Sequence, residues 1–436
     1  MRIDRLTLHN FRKFENLTLD LHPQFNLLVG GNGSGKTTIL DALAISMTEW
    51  FEVLEKSGLG SFSKKELLPK DIHLKQKKVS DRLQFEERSP TTFVSRVRVG
   101  REVVDLGRTT IVYSHDELLW SMRPSVRVIS QLVLGVSPDF PSTCPVFALY
   151  GVSRAVLAGN QIDPSGLPIA LPRRWDAYRH WVSEQIDYDS LRRWFFRESA
   201  AAGVNNGRKR PGYEVVRQAV FGCLPEADDL WFDVDRADLV CSIDGQAQPL
   251  GNLSDGQRML LAMVADIAIR AVTLNAHLLP ADELGPEDKP LPRVLRETPG
   301  IVLIDELDLH LHPSWQRRVV ADLKRTFPAI QFVATTHSPQ IIGEVPPDEI
   351  RIIDGEHVYS PDHSFGMDSS RILEEIMGTS PRTVSIENML AKLSRQISDD
   401  DFDAARVTIE EMKDKLGEDD PEITQARTLM EFVEQG

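Results

Sequence analysis

A glycine-rich stretch that ends in a lysine and a threonine has the residue types to bind the phosphates of a nucleotide. Gly30, Gly35, Lys36 and Thr37 occupy the fixed positions of the pattern G-x-x-x-x-G-K-[ST]. Backbone N–H groups of such a loop point at phosphate oxygens, the lysine reaches the β and γ phosphates, and the threonine hydroxyl binds Mg²⁺. The sequence therefore predicts an ATP and Mg²⁺ site, completed by Asn32, Gly33, Ser34 and Thr38.

Two carboxylates and a histidine follow two other apolar runs. Asp305 and Glu306 directly follow the run Ile301–Ile304, and His337 is the third residue after the run Ile330–Ala334. Both runs are short and β-branched, which is typical of buried parallel strands. Asp305 would hold Mg²⁺, Glu306 would polarise the attacking water, and His337 at the crevice edge would reach the γ-phosphate or the water. The chemistry indicated is nucleotide hydrolysis.

A serine and a glycine precede the strongly amphipathic helix predicted over Gln257–Thr273. Ser254 and Gly256 at a helix N-terminus would form an anion site, aided by the positive end of the helix dipole. Ser254 could instead serve only as the N-cap of that helix. His310 and His312 have a His-x-His spacing that could bind a metal, but a subunit-contact loop beside Glu306 is favoured.

The elements that must position these residues predict an α/β fold. A strand over Gln24–Val29 leads into the glycine loop, and a helix over Thr38–Trp50 leaves it. The aromatic and arginine-rich composition from about 155 to 235 predicts a helical insertion, in which Trp175–Trp181 has helical spacing. The sequence also predicts a hairpin around Asp244 and Gly245, an exposed connection over Leu278–Pro299, and helices over Ser314–Phe327 and Ser370–Met377. From Ser370 onward the pattern is helical and acidic, and the run Asp399-Asp400-Asp401 is expected to be a helix N-cap cluster rather than a metal site.

Composition limits the classes of protein that this chain could be. The 436 residues are 41% hydrophobic and 26% charged, with no apolar run of the roughly 18 residues that span a bilayer. The three cysteines, Cys144, Cys223 and Cys241, form no C-x-x-C pair, which argues against a disulfide framework or a zinc site. Together with the lack of a signal-peptide segment in the first residues, this predicts a cytoplasmic location without a membrane partner.

Net charge also carries information about partners. The chain has a net charge of −15, of which residues 364–436 contribute −9 through 17 acidic and 8 basic residues. Such a balance disfavours a protein that coats DNA nonspecifically, although local basic patches could still bind phosphate.

Taken as a set, the motifs resemble those of ATP-binding-cassette (ABC) ATPases of the SMC/RecF type, including the ATPase half of OLD proteins. The matching stretches are LVGGNGSGKTT, LSDGQ, IVLIDELDLHLHPSWQ and TTHSPQ, together with the opening IDRLTLHNFRKF. The resemblance covers roughly residues 1–50 and 250–360. It implies an ABC-type cassette, a mixed sheet with flanking helices, with a helical insertion lobe and an acidic helical C-terminal tail.

The resemblance assigns a role to each matching residue. Walker A is Gly30–Thr38, Walker B is Asp305–Glu306, and the switch histidine is His337, so that Glu306 and His337 are the catalytic residues. The remaining roles are an ATP contact for Arg12, the D-loop for Asp308, and the signature for Ser254, Asp255, Gly256 and Gln257. Asp255 departs from the commoner glycine, and Gln131 and Gln161 both stay candidates for the Q-loop.

The domains expected on this basis are an ATPase lobe over 1–150, a helical insertion and signature-side lobe over 151–250, a second ATPase lobe over 251–363 and a helical extension over 364–436. In this family the signature serves the ATP of the other subunit. The resemblance therefore implies a nucleotide-dependent, head-to-tail homodimer or a higher homo-oligomer, which closes on ATP and opens after hydrolysis.

From about residue 295 to the end the sequence also resembles the PtuA family, the ATPases of Septu-type and retron-associated anti-phage systems. This implies a chain that holds and regulates a partner HNH nuclease of the PtuB type. A reverse transcriptase with its DNA–RNA product (msDNA) is a further candidate partner, and the trigger is left open.

Three other classes of protein share some of these sequence features. A RecF-like repair ATPase would bind duplex DNA with residues such as Arg208, Lys209 and Arg210, which otherwise form a solvated loop. An ABC transporter subunit is disfavoured because 218 residues separate Lys36 from Ser254. A self-contained OLD-type nuclease would need a domain of acidic metal ligands after His337, where only predicted helices follow, so no intrinsic nuclease activity is expected.

Overall fold

The chain divides into two compact units, Met1–Asp368 and Ser369–Gly436. The structure, a computed structural model, describes residues 1–79, 82–110, 125–134, 142–155, 173–204, 207, 209–279 and 291–435. The strands are β1 (Arg2–Phe11), β2 (Phe14–Asp20), β3 (Phe25–Val29), β4 (Leu74–Val79), β5 (Arg82–Glu87), β6 (Thr91–Val99), β7 (Glu102–Thr110), β8 (Val146–Tyr150), β9 (Ala227–Asp233), β10 (Asp238–Ile243), β11 (Gln246–Pro249), β12 (Gly300–Ile304), β13 (Ile330–Thr335), β14 (Ile350–Asp354) and β15 (His357–Tyr359). The helices are α1 (Lys36–Lys56), α2 (Ser125–Leu134), α3 (Tyr188–Val204), α4 (Pro211–Cys223), α5 (Asp255–Leu274), α6 (Arg293–Glu297), α7 (Pro313–Gln316), α8 (Val319–Thr326), α9 (Pro339–Ile342), α10 (Ser369–Arg371), α11 (Val384–Ser398), α12 (Phe402–Leu416) and α13 (Pro421–Gln435).

A six-stranded sheet in the order β15-β14-β3-β13-β12-β8 forms the centre of the first unit. Its strands are parallel except for β15, which pairs antiparallel with β14. Every residue of β3, β8, β12 and β13 is buried, as expected of parallel strands that are covered on both faces. Because the strands are parallel and in register, with Tyr150 opposite Ile304 and Ile304 opposite Ala334, their carboxyl ends meet at one edge.

A separate antiparallel sheet in the order β2-β1-β6-β7 covers the helix that follows the glycine loop. Helix α1 contacts β6 and β7 of this sheet as well as β12 and β13 of the central sheet. Since it lies between two layers, most of its residues are buried, polar ones such as Asp41 and Glu49 included. The predicted α/β fold is confirmed, and it is mixed because parallel and antiparallel sheets are combined.

The region between β8 and α5 contains α3, α4 and a three-stranded antiparallel sheet in the order β11-β10-β9. The hairpin predicted around Asp244 and Gly245 is present as β10 and β11. The stretch Trp175–Trp181, which has helical spacing in the sequence, forms only a short 3₁₀ helix over Arg174–Tyr178. The indole of Trp181 then stacks on Phe51 with ring centroids 4.6 Å apart.

Two local predictions in the first unit were wrong. The helix predicted over Ser314–Phe327 is divided into α7 and α8, because the N–H of Arg318 turns to the carbonyl of Trp315, three residues back. The segment 278–299, predicted as an exposed connection, ends in the helix α6, where Val294 and Leu295 are fully buried.

The second unit is a set of three helices, α11, α12 and α13, preceded by α10 and a π-helical turn over Ile372–Ile376. The π-helical turn replaces most of the α-helix predicted over Ser370–Met377. The three long helices agree with the predicted pattern, and they share a core of Leu393, Ile397, Ala405, Ile409, Met412, Ile423 and Met430. The carboxylate of Asp401 accepts the N–H of Ala404 at 3.2 Å, which confirms its predicted role as a helix N-cap.

Among the helices that the structure describes, none combines the length and the apolar character needed to cross a bilayer.

Candidate functional site

The glycine loop between β3 and α1 has a backbone that only glycine accepts at its tightest points. Gly35 has φ of 101°, and a Cβ atom there would lie 2.5 Å from Cζ of Phe14. Gly33 also has a positive φ, of 72°. At Gly30 a Cβ atom would lie 2.8 Å from the carbonyl oxygen of Ile353. These close approaches fix the loop at the end of β3, directly before the N-terminus of α1.

Lys36 is folded back over this loop. Its Nζ donates to the carbonyl oxygens of Gly30 at 2.7 Å and Gly31 at 3.1 Å. Burial lowers the pKa of Lys36, whereas the nearby carboxylates Asp305, Glu306 and Asp308 act in the opposite direction. The ammonium group is therefore held at the centre of the loop by weak carbonyl acceptors that a phosphate oxygen would replace.

Thr37 and Asp305 bring two hard oxygen donors together. The hydroxyl of Thr37 donates to Oδ2 of Asp305 at 2.9 Å, and the hydroxyl of Thr335 donates to Oδ1 at 2.6 Å. The first contact joins α1 to the end of β12, as the predicted Mg²⁺ site requires. A hydroxyl and a carboxylate are oxygen ligands of the kind that Mg²⁺ prefers, so these residues fit the ion.

The backbone at Glu306 is unusual. Its φ is 51°, a conformation that non-glycine residues rarely adopt. The Glu306 N–H donates to Oγ1 of Thr335 at 2.7 Å, and its carbonyl accepts the N–H of Leu309 at 2.9 Å. Arg154 donates to the same carbonyl and to that of Asp305. Burial lowers the pKa of Arg154 to about 10, against the opposing effect of Asp305 and the neighbouring carboxylates.

Asp308 anchors the segment that carries His337. Its Oδ1 accepts the hydroxyl of Thr336 at 2.6 Å and the backbone N–H of His337 at 3.2 Å. A cavity of about 340 Å³ results, and it is lined by Arg12, Lys13, Asn32, Gly33, Ser34, Gly35, Lys36, Thr37, Thr38, Asp305, Glu306, Thr335 and His337. The structure thus brings residues 32–38 of the glycine loop, Asp305, Glu306 and His337 to one cavity, while the predicted ATP contact Gly30 does not line it.

The signature residues do not line this cavity. Ser254 is the N-cap of α5. Its Oγ accepts the backbone N–H of Gln257 at 3.3 Å, and its own backbone N–H donates to the carboxamide oxygen of Gln257 at 3.1 Å. Asp255 is paired with Arg258 at 2.6 Å. At Gly256 a Cβ atom would lie 2.4 Å from the carbonyl of His310. Ser254 is thus the N-cap of α5, and the anion site predicted at this helix N-terminus stays a prediction.

Arg12 lines the cavity, but two carboxylates hold its guanidinium. It pairs with Asp41 at 2.7 Å and with Asp71 at 2.8 Å. Asp71 is itself 2% exposed. The geometry therefore gives Arg12 a structural task at the edge of the phosphate loop, and its predicted contact with ATP stays a prediction.

Several other predicted residues are not brought to the cavity. Gln131 lies exposed on α2 and does not line it, while Gln161 and Arg208 lie outside the described residues. Lys209 pairs with Glu214 at 3.9 Å, and Arg210 pairs with Glu198 at 3.2 Å. The predicted Q-loop and the predicted duplex-DNA contact stay predictions.

The His-x-His segment shows no metal-ligand arrangement. His312 caps α7 by accepting the N–H of Ser314, and His310 has a φ of 57°. In the part of the chain that the structure describes, no group of three or more His, Cys, Asp or Glu side chains could hold a metal ion.

Sequence reasoning missed two residues of this site, Thr335 and Arg154. Thr335 binds both Asp305 and Glu306; the sequence placed it directly after the predicted strand Ile330–Ala334, whereas the structure makes it the last residue of β13. Arg154 follows β8 by four residues and is 2% exposed. An arginine just after a buried strand was the one signal available, and nothing in its motif context indicates where its guanidinium points.

Comparison with protein families supports the class that the fold and the cavity define. Residues 5–112 match the family described as "AAA domain", and residues 242–343 match the family described as "AAA domain, putative AbiEii toxin, Type IV TA system". The two matches contain Walker A and the segment from the signature through Walker B to His337. The chain is therefore an ATPase, with two segments that are similar to AAA domains.

Comparison with individual proteins narrows the class of ATPase to which this chain is similar. The chain is 26% identical to the Retron Ec83 probable ATPase of Escherichia coli, over 88% of this chain and 77% of that protein. It is 37% identical to the Retron Vc95 probable ATPase of Vibrio cholerae serotype O1 biovar El Tor, over 42% and 34% of the two chains. It is 38% identical to the Septu protein PtuA of Bacillus mycoides (strain KBAB4), over 21% and 10%. The chain is therefore related to the retron ATPases and to PtuA, and it spans only part of the latter's length.

Among solved structures, the SMC head bound to the C-winged helix domain of ScpA aligns with 84% of this chain and 98% of that chain, at 14% identity and a TM-score of 0.48.

Proposed function

We propose that this chain is the ATP-binding and ATP-hydrolysing subunit of an anti-phage defence complex, in which a nucleotide-driven head-to-tail dimer regulates a partner HNH nuclease. The observation that carries the ATPase mechanism is the convergence of Lys36, Thr37, Asp305, Glu306 and His337 on one cavity. Similarity to retron ATPases and to PtuA supports the defence role.

In this proposal each residue at the cavity has one task. The loop N–H groups and Lys36 bind the triphosphate. Thr37 and Asp305 hold Mg²⁺, which supplies charge neutralisation of the β and γ phosphates. The carboxylate of Glu306 accepts a proton from the attacking water, and His337 contacts the γ-phosphate side of the cavity.

The dimer explains why the signature lies away from the cavity of its own chain. Ser254 does not line the cavity of its own chain, and at the N-terminus of the 20-residue helix α5 it offers an anion-binding end to a second copy. The Mg²⁺–ATP complex would then lie between one cradle and the other chain's signature.

Mixing two inactive variants tests the head-to-tail arrangement. Lys36→Ala disrupts the phosphate-binding glycine loop, the cradle, and Ser254→Arg blocks the signature. Each variant alone is expected to be inactive. An equal mixture should recover about a quarter of the wild-type ATPase rate, because half of the random dimers contain one intact composite site of two. The rate of phosphate release is measured against the mixing ratio.

The control is a mixture of Lys36→Ala with a second cradle variant, Thr37→Ala, which has no complementary defect and should stay inactive. If the first mixture also stays inactive at every ratio, the shared site is excluded.

The second unit offers a docking surface for the partner nuclease. On α13 the side chains of Leu429, Phe432 and Val433 are 50%, 78% and 40% exposed, and their spacing places them on one helix face. An exposed apolar stripe with an acidic surrounding is typical of a protein interface. We expect this stripe to bind the HNH nuclease.

Replacing Phe432 with aspartate tests that expectation. A charge at the centre of an apolar contact is expected to weaken association by at least about tenfold, since contact residues that dominate an interface contribute about 2 kcal/mol or more. Co-purification with a co-expressed HNH nuclease of the PtuB type and calorimetric titration provide the measurement. Val384→Asp, a similar change at an exposed site on α11, serves as the control, and equal binding by both variants would remove α13 from the interface.

A further inference from the structure

The buried guanidinium of Arg154 lies directly behind the turn that carries the Walker B carboxylates. Its Nη1 donates to the carbonyl oxygens of Asp305 at 2.5 Å and Gly151 at 2.9 Å, and its Nη2 donates to the carbonyl oxygen of Glu306. Arg154 is 2% exposed and does not line the nucleotide cavity. Whatever it does for hydrolysis, it does through the turn.

We propose that Arg154 is a positioning residue for ATP hydrolysis, which fixes the two peptide groups of the Walker B turn and thereby the carboxylate of Glu306. The inference deepens the proposed function and rests on the role proposed there for Glu306.

The first argument is the strain in the turn. Glu306 has φ of 51°, a conformation in which a side chain crowds its own backbone. Such a residue keeps this conformation only when its surroundings impose it. Arg154 and Leu309 hold its carbonyl, and Thr335 holds its N–H. Arg154 is the one member of this set that binds the carbonyls of both Walker B residues.

The second argument is geometric. A guanidinium is planar and presents several N–H groups in a fixed fork, so it can orient adjacent carbonyls at once. A lysine ammonium at this position is a point donor on a flexible chain and cannot reproduce the fork. An apolar side chain would remove the guanidinium donor from the carbonyls of Gly151, Asp305 and Glu306.

The third argument is that Arg154 is itself fixed from the other side. Its N–H donates to the carbonyl of Gly151, and its own carbonyl accepts the hydroxyl of Tyr188 at 3.3 Å, at the first residue of α3. Gly151 in turn donates its N–H to the carbonyl of Glu184 at 3.1 Å. The guanidinium therefore projects from a backbone that β8 and α3 both restrain, which is what a positioning group requires.

A double-mutant cycle tests the proposal. Arg154→Lys is prepared in the wild-type chain and in Glu306→Gln, and single-turnover ATP hydrolysis is measured in all four proteins. In the wild-type background the variant should lose about 10²-fold in kcat with KM for ATP unchanged within about twofold, since a shift of about 1 Å at the reacting group costs this much. In Glu306→Gln the same change should cost nothing further, because the group that it positions is already inactive.

The matched control is Arg174→Lys. Arg174 likewise donates to two backbone carbonyls, those of Leu274 and Ser142, but it has no contact with the Walker B turn. Its variant should keep the wild-type kcat. A second variant, Arg154→Ala, should regain ATPase activity when guanidinium ion is added. This variant keeps the test decisive if Arg154→Lys unfolds. If both variants unfold and guanidinium ion restores no activity, the proposal is overturned.

The outcomes separate the inference from the function on which it rests. Equal losses from Arg154→Lys in both backgrounds, or a rise in KM at constant kcat, would overturn the role of Arg154 and leave Glu306 as the catalytic base. Wild-type hydrolysis by Glu306→Gln would overturn the proposed function of Glu306, and the inference with it.

Discussion

Lys36→Ala is expected to weaken ATP binding strongly and to remove measurable ATP hydrolysis. Lys36 is the cation at the centre of the phosphate loop, where its Nζ already lies 2.7 Å from the carbonyl of Gly30. A hydrogen bond to a charged group contributes about 1.5–3 kcal/mol, so losing the lysine should weaken ATP binding by about 10- to 150-fold. The rate should fall further, because the negative charge that develops on the phosphates in the transition state also loses its counterion.

The measurement is titration with a fluorescent ATP analogue, followed by phosphate release at saturating ATP. Lys56→Ala is the matched control, since Lys56 is an exposed lysine at the opposite end of the same helix. The fold should survive in both variants, because Lys36 contacts only loop carbonyls that water can reach once the side chain is gone. ATP binding by Lys36→Ala at the wild-type affinity would show that the glycine loop is not the nucleotide site.

Glu306→Gln is expected to have the opposite pattern: ATP bound, hydrolysis lost and the dimer stabilised. The substitution keeps the shape of the side chain and removes its ability to accept a proton, and general-base catalysis contributes about 10²–10⁴-fold to a rate. Since the backbone contacts of residue 306 do not involve its carboxylate, the left-handed turn should be preserved.

Light scattering after size exclusion, with and without Mg²⁺–ATP, measures the second half of this expectation. The variant should be monomeric without nucleotide and dimeric with it, because the bridging triphosphate is no longer destroyed. Glu344→Gln, which changes a partly buried glutamate away from the cavity, should hydrolyse ATP normally. A Glu306→Gln chain that binds ATP but never dimerises would contradict the proposed dimer with ATP at its interface.

The convergence of Lys36, Asp305 and His337 could be predicted from the sequence, for a physical reason. Each follows a short apolar run, and buried parallel strands place their carboxyl ends at the same edge of the sheet. The order of the strands was not needed for this step. The local pattern also predicted α1 and α5, because their apolar faces are long and continuous.

The contacts that hold these residues could not be predicted, because they join segments distant in the chain. Arg154 reaches Glu306 across 152 residues, and Arg12 reaches Asp71 across 59. Neither pairing leaves a periodic trace in the sequence. The break between α7 and α8 could not be predicted for a different reason. The hydrogen bonding changes from i→i+4 to i→i+3 at Arg318, and no proline or glycine marks this position in the sequence.

At Gly256, the N-terminus of α5 lies against the segment that follows Glu306. A Cβ atom at that position would lie 2.4 Å from the carbonyl of His310, four residues past Glu306, so α5 and this segment are in backbone contact within one chain. In the proposed dimer, contact of α5 with a neighbour's triphosphate would therefore act on the segment that follows Glu306 in the same chain. Nucleotide binding at one of the two sites would then favour closure of the other.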